Sequence, residues 1–210
     1  PASMVPWTAG RLAVILPAIG ALWLSSGRNR EKTRTAALVF CFLTFALTLG
    51  EWFDFSTLHT FEAHDHWDLV HRITSLDILV VDELSAPLLP LTALIFLMTV
   101  LSTLPTKVSR FPFGGALALL SLSMATLSSR EPWVLIGLLI LMALPPWLDV
   151  KRRNRSTVVF GFHMGLMGGL MIIGQLLLSY FDVSSRWGQL GAVVLAAGCL
   201  IRCGIVPVHC

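Results

Sequence analysis

The stretch VVFGFHMGLMGGLMIIGQLLLSY, residues 158–180, contains no Asp, Glu, Lys or Arg. A helix needs about 20 apolar residues to cross the hydrocarbon core of a bilayer, and this stretch is long enough. Its apolar side chains surround the helix on all sides, whereas a helix of a soluble protein has a polar face. The stretch therefore predicts a transmembrane helix.

Composition extends this prediction to the whole chain. Of the 210 residues, 55% are hydrophobic and 13% are charged, whereas about a quarter of the residues in soluble domains are charged. A soluble bundle of very apolar helices is the alternative, but its helices would need polar faces that these blocks lack. We predict an all-α fold, a polytopic transmembrane bundle of about seven helices, as one transmembrane domain over residues 1–210. The predicted spans are Val5–Ser26, Thr35–Gly50, Ser85–Leu104, Phe113–Leu127, Trp133–Leu148, Val158–Tyr180 and Gln189–Val208.

The basic residues indicate how these spans are oriented. Lys and Arg accumulate in the alternate loops around residues 28–34, 107–110 and 151–155. Each intervening loop holds a single one, Arg72, Arg130 or Arg186. Because cytoplasmic loops are enriched in Lys and Arg, we predict that the N-terminus lies outside and the three basic loops inside. The net charge of +3 then reflects membrane topology, and no nucleic-acid partner is expected.

The long loop over residues 51–84 is predicted to be extracytoplasmic. Its stretch Trp67–Val81 is rich in β-branched and aliphatic residues, which favours a short β-hairpin on the outer surface. The loop also contains His59, His64, Asp65, His66 and His71. No HExxH or CxxC motif supports a metal site there, so a solvated loop and no metal are predicted.

Two glycine features concern helix packing and continuity. Gly161, Gly165 and Gly169 recur every four residues, which predicts a smooth face for the close approach of another helix. In the last span, Gly204 and Pro207 both disfavour a continuous helix. Either the span ends there or the helix is broken within the membrane, as in transporters that build ion sites from broken helices.

Three residues are candidates for an ion pathway. Arg202 falls within the last apolar block, where a charge costs about 2.5–3.5 kcal/mol even on a lenient scale unless it is paired or hydrated. The alternative is that Arg202 extends to the inner surface. His163 in the sixth span either relays protons or is hydrogen-bonded to a neighbouring helix, and His209 would line the same region.

Motifs for enzyme chemistry are absent from the sequence. There is no P-loop, no GxGxxG, no haem-type CxxCH and no nucleophile–base pair. The four cysteines, Cys41, Cys199, Cys203 and Cys210, form no CxxC pair and are predicted to be free thiols. We therefore predict no catalytic residue and no cofactor in this chain.

VVDELSAPLLPLTALI, residues 80–95, and LIRCGIVPVHC, residues 200–210, resemble two family motifs. The family is that of the antiporter-like membrane subunits of NADH-quinone oxidoreductase (complex I) and the related Mrp-type cation/proton antiporters. Among the complex I subunits, the resemblance is to chain M more than to chain L or N. VVDELSAPLLPLTALI, residues 80–95, is similar to GVDGLSxPxxxLTxL and matches it at Asp82 and Ser85, among other positions. The chain end LIRCGIVPVHC resembles the seventh-helix motif FxVKxPxxPxHxWLPDAH. There Arg202 takes the place of the lysine, Pro207 that of the second proline and His209 that of the histidine.

This resemblance implies a fold of about fourteen helices, of which the chain is the first half. Members of the family translocate protons or other cations, using a lysine on helix seven and a glutamate on helix five. The resemblance also implies a bacterial-type cytoplasmic (inner) membrane and other membrane subunits as partners, besides the lipid bilayer. Quinone and NADH would be handled by other subunits.

The sequence departs from the family at three positions. Arg202 replaces the lysine, Ile140 stands at the helix-five glutamate, and Gly204 replaces the first proline. These departures concern the residues of the family's proton relay. The leading hypothesis, which rests on the resemblance, is a membrane subunit that contributes to proton or cation translocation in a complex I-like assembly. The alternatives are a subunit of a cation/proton antiporter or of an inorganic-carbon uptake system, and a non-conducting scaffold that has lost the proton relay.

Overall fold

The computed structural model describes residues 6–26, 30–58, 62–64, 80–82, 84–104 and 111–203. These residues form eight helices and two short antiparallel strands. The helices are α1 (Pro6–Ser26), α2 (Arg30–Leu58), α3 (Ser85–Leu101), α4 (Phe113–Leu127), α5 (Pro132–Leu141), α6 (Leu144–Arg152), α7 (Val158–Tyr180) and α8 (Arg186–Arg202). The strands are β1 (Glu62–His64) and β2 (Val80–Asp82).

Within the described residues, each predicted apolar block is mainly helical, so the prediction of a mainly helical chain is confirmed. The fifth block is interrupted by a turn at Met142 and Ala143, after which α6 starts with prolines in its first turn. Proline is tolerated there because the first N–H groups of a helix have no partner within the helix. The last helix starts earlier than predicted because Ser185 caps it, its Oγ accepting a hydrogen bond from the Gly188 N–H at 3.0 Å.

Three helical segments are long and apolar enough to cross a membrane: Lys32–Phe53, Pro132–Arg152 and Val158–Tyr180. Leu12–Ser25, Ser85–Leu101 and Phe113–Leu127 are apolar but shorter. Large apolar side chains remain uncovered on these helices, with Leu22 and Val158 each 74% exposed and Phe162 72% exposed. Soluble proteins rarely leave such surfaces in water. Among the described residues, these three long segments, one of them interrupted by the turn at Met142 and Ala143, indicate a membrane protein.

The loop between α2 and α3 contributes the strand pair. Glu62 pairs with Asp82, Ala63 with Val81 and His64 with Val80 in an antiparallel register. Residues 65–79, which carry most of the predicted hairpin, lie outside the described residues.

The chain divides into two compact units, Pro1–Glu131 and Pro132–Cys210. In the first unit, α1–α4 pack around a shared apolar core. The hydroxyl of Ser121 on α4 donates to the carbonyl of Val14 on α1 at 2.8 Å, which ties these two helices together. Buried Thr44 and Thr48 on α2 donate to carbonyls one turn earlier on the same helix. Their polar groups are thus satisfied without water.

Arg34 links the start of α2 to the end of α3. Its Nη2 donates to the carbonyl oxygen of Leu101, the last residue of α3, at 3.3 Å. The final carbonyls of a helix have no partner within the helix and carry partial negative charge, so a guanidinium is favourable at this end. Arg34 therefore acts as a side-chain cap for a neighbouring helix.

In the second unit, glycines set the distance between α7 and α8. A Cβ at Gly174 would lie 2.7 Å from the backbone nitrogen of Leu195, and one at Gly191 would lie 2.8 Å from the Cβ of Leu177. A Cβ at Gly198 would lie 2.9 Å from Cγ of Met171. The two backbones therefore approach so closely that only glycine fits, as small-residue interfaces in membranes allow.

The role of the predicted packing glycines stays a prediction, because the contact between α7 and α8 uses other glycines. Within the described residues, nothing lies within 4 Å of a Cβ placed at Gly161, Gly165 or Gly169. Their spacing of four is regular, but the helix faces α8 with the stripe that includes Gly174 instead. Spacing alone identifies a smooth face and does not show which face meets a neighbour.

We expect Gly174→Ala and Gly165→Ala, on the same helix, to act in opposite directions. Both replacements improve helix propensity by about 0.5–1 kcal/mol. At Gly174 the new methyl collides with backbone, and overpacking of this kind costs about 1–3 kcal/mol. Unfolding titrations in detergent should therefore show a lower free energy of unfolding for Gly174→Ala and an unchanged or higher one for Gly165→Ala. Equal effects of the two would contradict the described α7–α8 contact.

Candidate functional site

Arg202 is the last residue of α8 and is half-buried. Its Nη1 lies 3.8 Å from the thioether sulfur of Met164 on α7. A thioether is a weak acceptor, and a guanidinium carries five N–H donors. Among the described residues this is the only side-chain hydrogen bond of Arg202. The helix pair therefore holds a permanent cation whose hydrogen-bonding capacity is mostly unmet by this part of the protein.

The contact with Met164 shows how deep Arg202 lies along α7. Met164 is six residues from Val158, where α7 begins, which corresponds to about 9 Å along a helix axis. The sequence predicted a position in the middle of the last apolar block, with the alternative that Arg202 extends to the inner surface. The structure places the cation at the level of Met164, about a quarter of the way along α7 from Val158. Arg202 is the last residue of α8.

His163 precedes Met164 on α7 and is half-buried. It makes no hydrogen bond to any other described residue. The bond to a neighbouring helix that the sequence left open is therefore not formed within the described ranges. An imidazole with free nitrogens, one residue from the Arg202 contact, is suited to exchange protons with water.

Ile140 also contacts α7, one turn further along. Its Cδ1 would lie 3.3 Å from a Cβ at Gly168, four residues after Met164. One helical turn is about 5.4 Å, so Ile140 and Arg202 meet neighbouring turns of the same helix. Ile140 and Arg202, which are 62 residues apart in the sequence, therefore both contact the stretch of α7 between Met164 and Gly168.

Sequence reasoning missed the methionines of α7. Met164, Met167 and Met171 recur at intervals of three and four residues, a spacing that places them on one helix face. Met167 and Met171 are buried and cluster with Ile136 and Ile201. Because thioether side chains are flexible and polarizable, they fill the space beside Gly198 and present sulfur to Arg202. The spacing in the sequence was the signal that would have identified this face.

The remaining predicted site residues are distributed differently. Gly204, Pro207 and His209 lie outside the described residues, as do His59, Asp65, His66 and His71. His64 belongs to β1, and Asp82 belongs to β2, opposite Glu62. Ser85 is buried as the first residue of α3, so the segment with the first family-like motif does lead into a helix. No group of three metal-ligating side chains occurs among the residues that the structure describes.

Comparison with known proteins does not assign the chain to a family. No protein-family model matches the chain, and no curated protein matches it significantly. The fold and its exposed apolar helices define the class, a helical membrane protein. Any narrower function rests on the chain's own residues around α7 and on its two motif-like segments.

We expect a cysteine at position 202 to react faster with a water-soluble thiol reagent than one at position 200. Both cysteines are introduced into a variant with all native cysteines replaced by serine. In Arg202→Cys, the new thiol would lie where the guanidinium is expected to be hydrated. Leu200→Cys would replace an exposed apolar side chain two residues away. Because the thiolate is the reactive form and needs hydration, we expect a rate difference of about tenfold. Equal labelling rates in membranes would contradict a hydrated site at Arg202.

Proposed function

We propose that this chain is a membrane subunit of a complex I-like NADH-quinone oxidoreductase assembly that contributes to proton or cation translocation. The observation that carries the proposal is the half-buried guanidinium of Arg202, 3.8 Å from the sulfur of Met164 on α7, the residue that follows His163. A charge inside a membrane protein persists where water, an ion or a counter-charge meets it, and such positions mark ion pathways by default.

The two motif-like segments support the particular family. Residues 80–95 precede and enter α3, which is where the family's motif leads into its third helix. The segment LIRCGIVPVHC carries Arg202 at the lysine of the seventh-helix motif. In this proposal the chain is the first half of a fourteen-helix protein in a bacterial-type inner membrane, with the N-terminus outside. Other subunits would bind NADH and quinone.

Arg202 and His163 take different roles in this proposal. A guanidinium remains protonated in proteins, so Arg202 acts as a fixed positive charge and not as a proton carrier. His163, whose imidazole makes no hydrogen bond to another described residue, is the group proposed to exchange the proton, and His209 would extend the pathway.

Ile140 favours a second candidate, the non-conducting scaffold. The family's glutamate would stand at this position, yet Ile140 presents an apolar side chain to Gly168 and is 38% exposed. A scaffold keeps the helices and their partners but moves no ions. A subunit of a cation/proton antiporter or of an inorganic-carbon uptake system is a variant of the conducting proposal with other partners.

We expect Arg202→Leu to abolish coupled ion movement and Arg202→Lys to preserve or increase it. The leucine removes the charge, whereas the lysine keeps it and can also release a proton. The measurement is ion uptake into proteoliposomes that contain the intact assembly. Equal activity of the three forms would contradict a role for this charge.

A matched variant separates transport from scaffolding. Ile140→Glu on α5, in the background of Arg202→Lys on α8, places a carboxylate and an ammonium beside neighbouring turns of α7. The family resemblance implies such a pair. In a conducting subunit this pair increases ion uptake above that of Arg202→Lys alone. In a scaffold, both variants leave uptake and assembly of the complex unchanged.

The orientation gives an independent test of the membrane proposal. Cysteines introduced at residues 27–35 and 151–156 of a variant without native cysteines should be labelled only from the cytoplasmic side. The reason is the concentration of Lys and Arg in these loops. Labelling of either loop by an impermeant reagent added outside intact cells would overturn the orientation.

A further inference from the structure

The turn between α6 and α7 is an ordered basic structure. We call residues Lys151–Arg155 the basic turn. All five residues are exposed and four are cationic. Asn154 has a φ of 52°, in the left-handed region. The Arg155 N–H donates to the Val150 carbonyl at 3.2 Å and the Asn154 N–H to the Lys151 carbonyl at 3.0 Å. These two bonds form a Schellman motif, which fixes the backbone that carries the cations.

Two of the four cationic side chains in the basic turn interact with another side chain of the protein, and two do not. Lys151 Nζ lies 5.0 Å from the centre of the Trp147 ring, a cation–π contact. Arg153 Nη2 lies 2.9 Å from Oδ2 of Asp149, one turn earlier. The side chains of Arg152 and Arg155 make no hydrogen bond or ion pair with any other described residue. Two of the four positive charges are therefore available to an external anion.

The available cations lie next to apolar surface on α7. Val158, Val159 and Phe162, at the start of that helix, are 74%, 57% and 72% exposed. The basic turn also lies at the C-terminal end of the segment Pro132–Arg152, which is long and apolar enough to cross a membrane. A ligand that fits both features has an anionic head for the guanidiniums and apolar chains for the helix. A soluble anion would use only the first feature.

We propose that the basic turn and the exposed start of α7 bind an anionic phospholipid. The guanidiniums of Arg152 and Arg155 bind its phosphate oxygens, because the planar guanidinium matches phosphate geometry and holds it through two hydrogen bonds. The acyl chains lie along Val158, Val159 and Phe162. Trp147 sits at the headgroup level, as interfacial tryptophans do. This proposal is independent of whether the chain conducts ions.

The test is a lipid titration of the intact protein, purified in a zwitterionic detergent and analysed by native mass spectrometry with phosphatidylglycerol. We expect Arg152→Gln with Arg155→Gln to weaken binding of the first phosphatidylglycerol by roughly 10- to 30-fold, since each basic residue near a membrane surface contributes several-fold. Both residues are exposed and glutamine is a good helix former, so folding should be unaffected. The unfolding midpoint of the double variant in detergent should match that of the unmodified protein.

The control removes the same charge elsewhere. Arg130→Gln with Arg186→Gln also replaces two exposed arginines, and it should change the affinity by less than about twofold. Equal weakening by the two double variants, or no weakening by either, would overturn the proposal. Inorganic phosphate at millimolar concentration should not displace the lipid. Its displacement would identify a site for soluble anions and would also overturn the proposal.

Discussion

Two helices in a bilayer gain little from covering apolar surface, because lipid tails are as apolar as leucine, so their attraction depends on how closely they approach. In the second unit this approach is set by Gly174, Gly191 and Gly198, where any Cβ would collide with the opposite helix. Close contact fixes the register of α7 against α8. The register in turn brings Arg202 to Met164, so the position of the candidate site follows from glycines that carry no chemistry themselves.

The same constraint explains why the site is built on α7. This helix contacts α8 through its glycine and methionine face, and Ile140 of α5 packs beside Gly168. A helix that touches neighbours on two sides can hold groups from both at adjacent turns. Its exposed side chains, such as Phe162, remain available to lipid. One helix thus separates a surface suited to lipid from a packed side that holds the cation.

Hydropathy and charge were sufficient to locate the helices, because a bilayer-sized apolar block has one regular conformation that satisfies its backbone. They were insufficient for contacts. The regular spacing of Gly161, Gly165 and Gly169 was as good a pattern as that of Gly174 with its partners, and only the structure distinguishes them. For the site, the sequence identified Arg202 and His163 from their rarity in apolar segments. The partner Met164 was missed, although its spacing with Met167 and Met171 places all three on one helix face.

The described residues of its own unit offer Arg202 no counter-charge. From Pro132 to Cys210 the sequence contains two acidic residues, Asp149 and Asp182. Asp149 is bound to Arg153, and Asp182 follows the far end of α7, about 27 Å from the level of Met164 by helical rise. A cation so isolated is stabilised by water, by a lipid phosphate or by a carboxylate of another helix. A scaffold would lose nothing by replacing such a residue with leucine, whereas an ion pathway depends on it. The presence of this cation therefore favours conduction, even though Ile140 alone favours a scaffold.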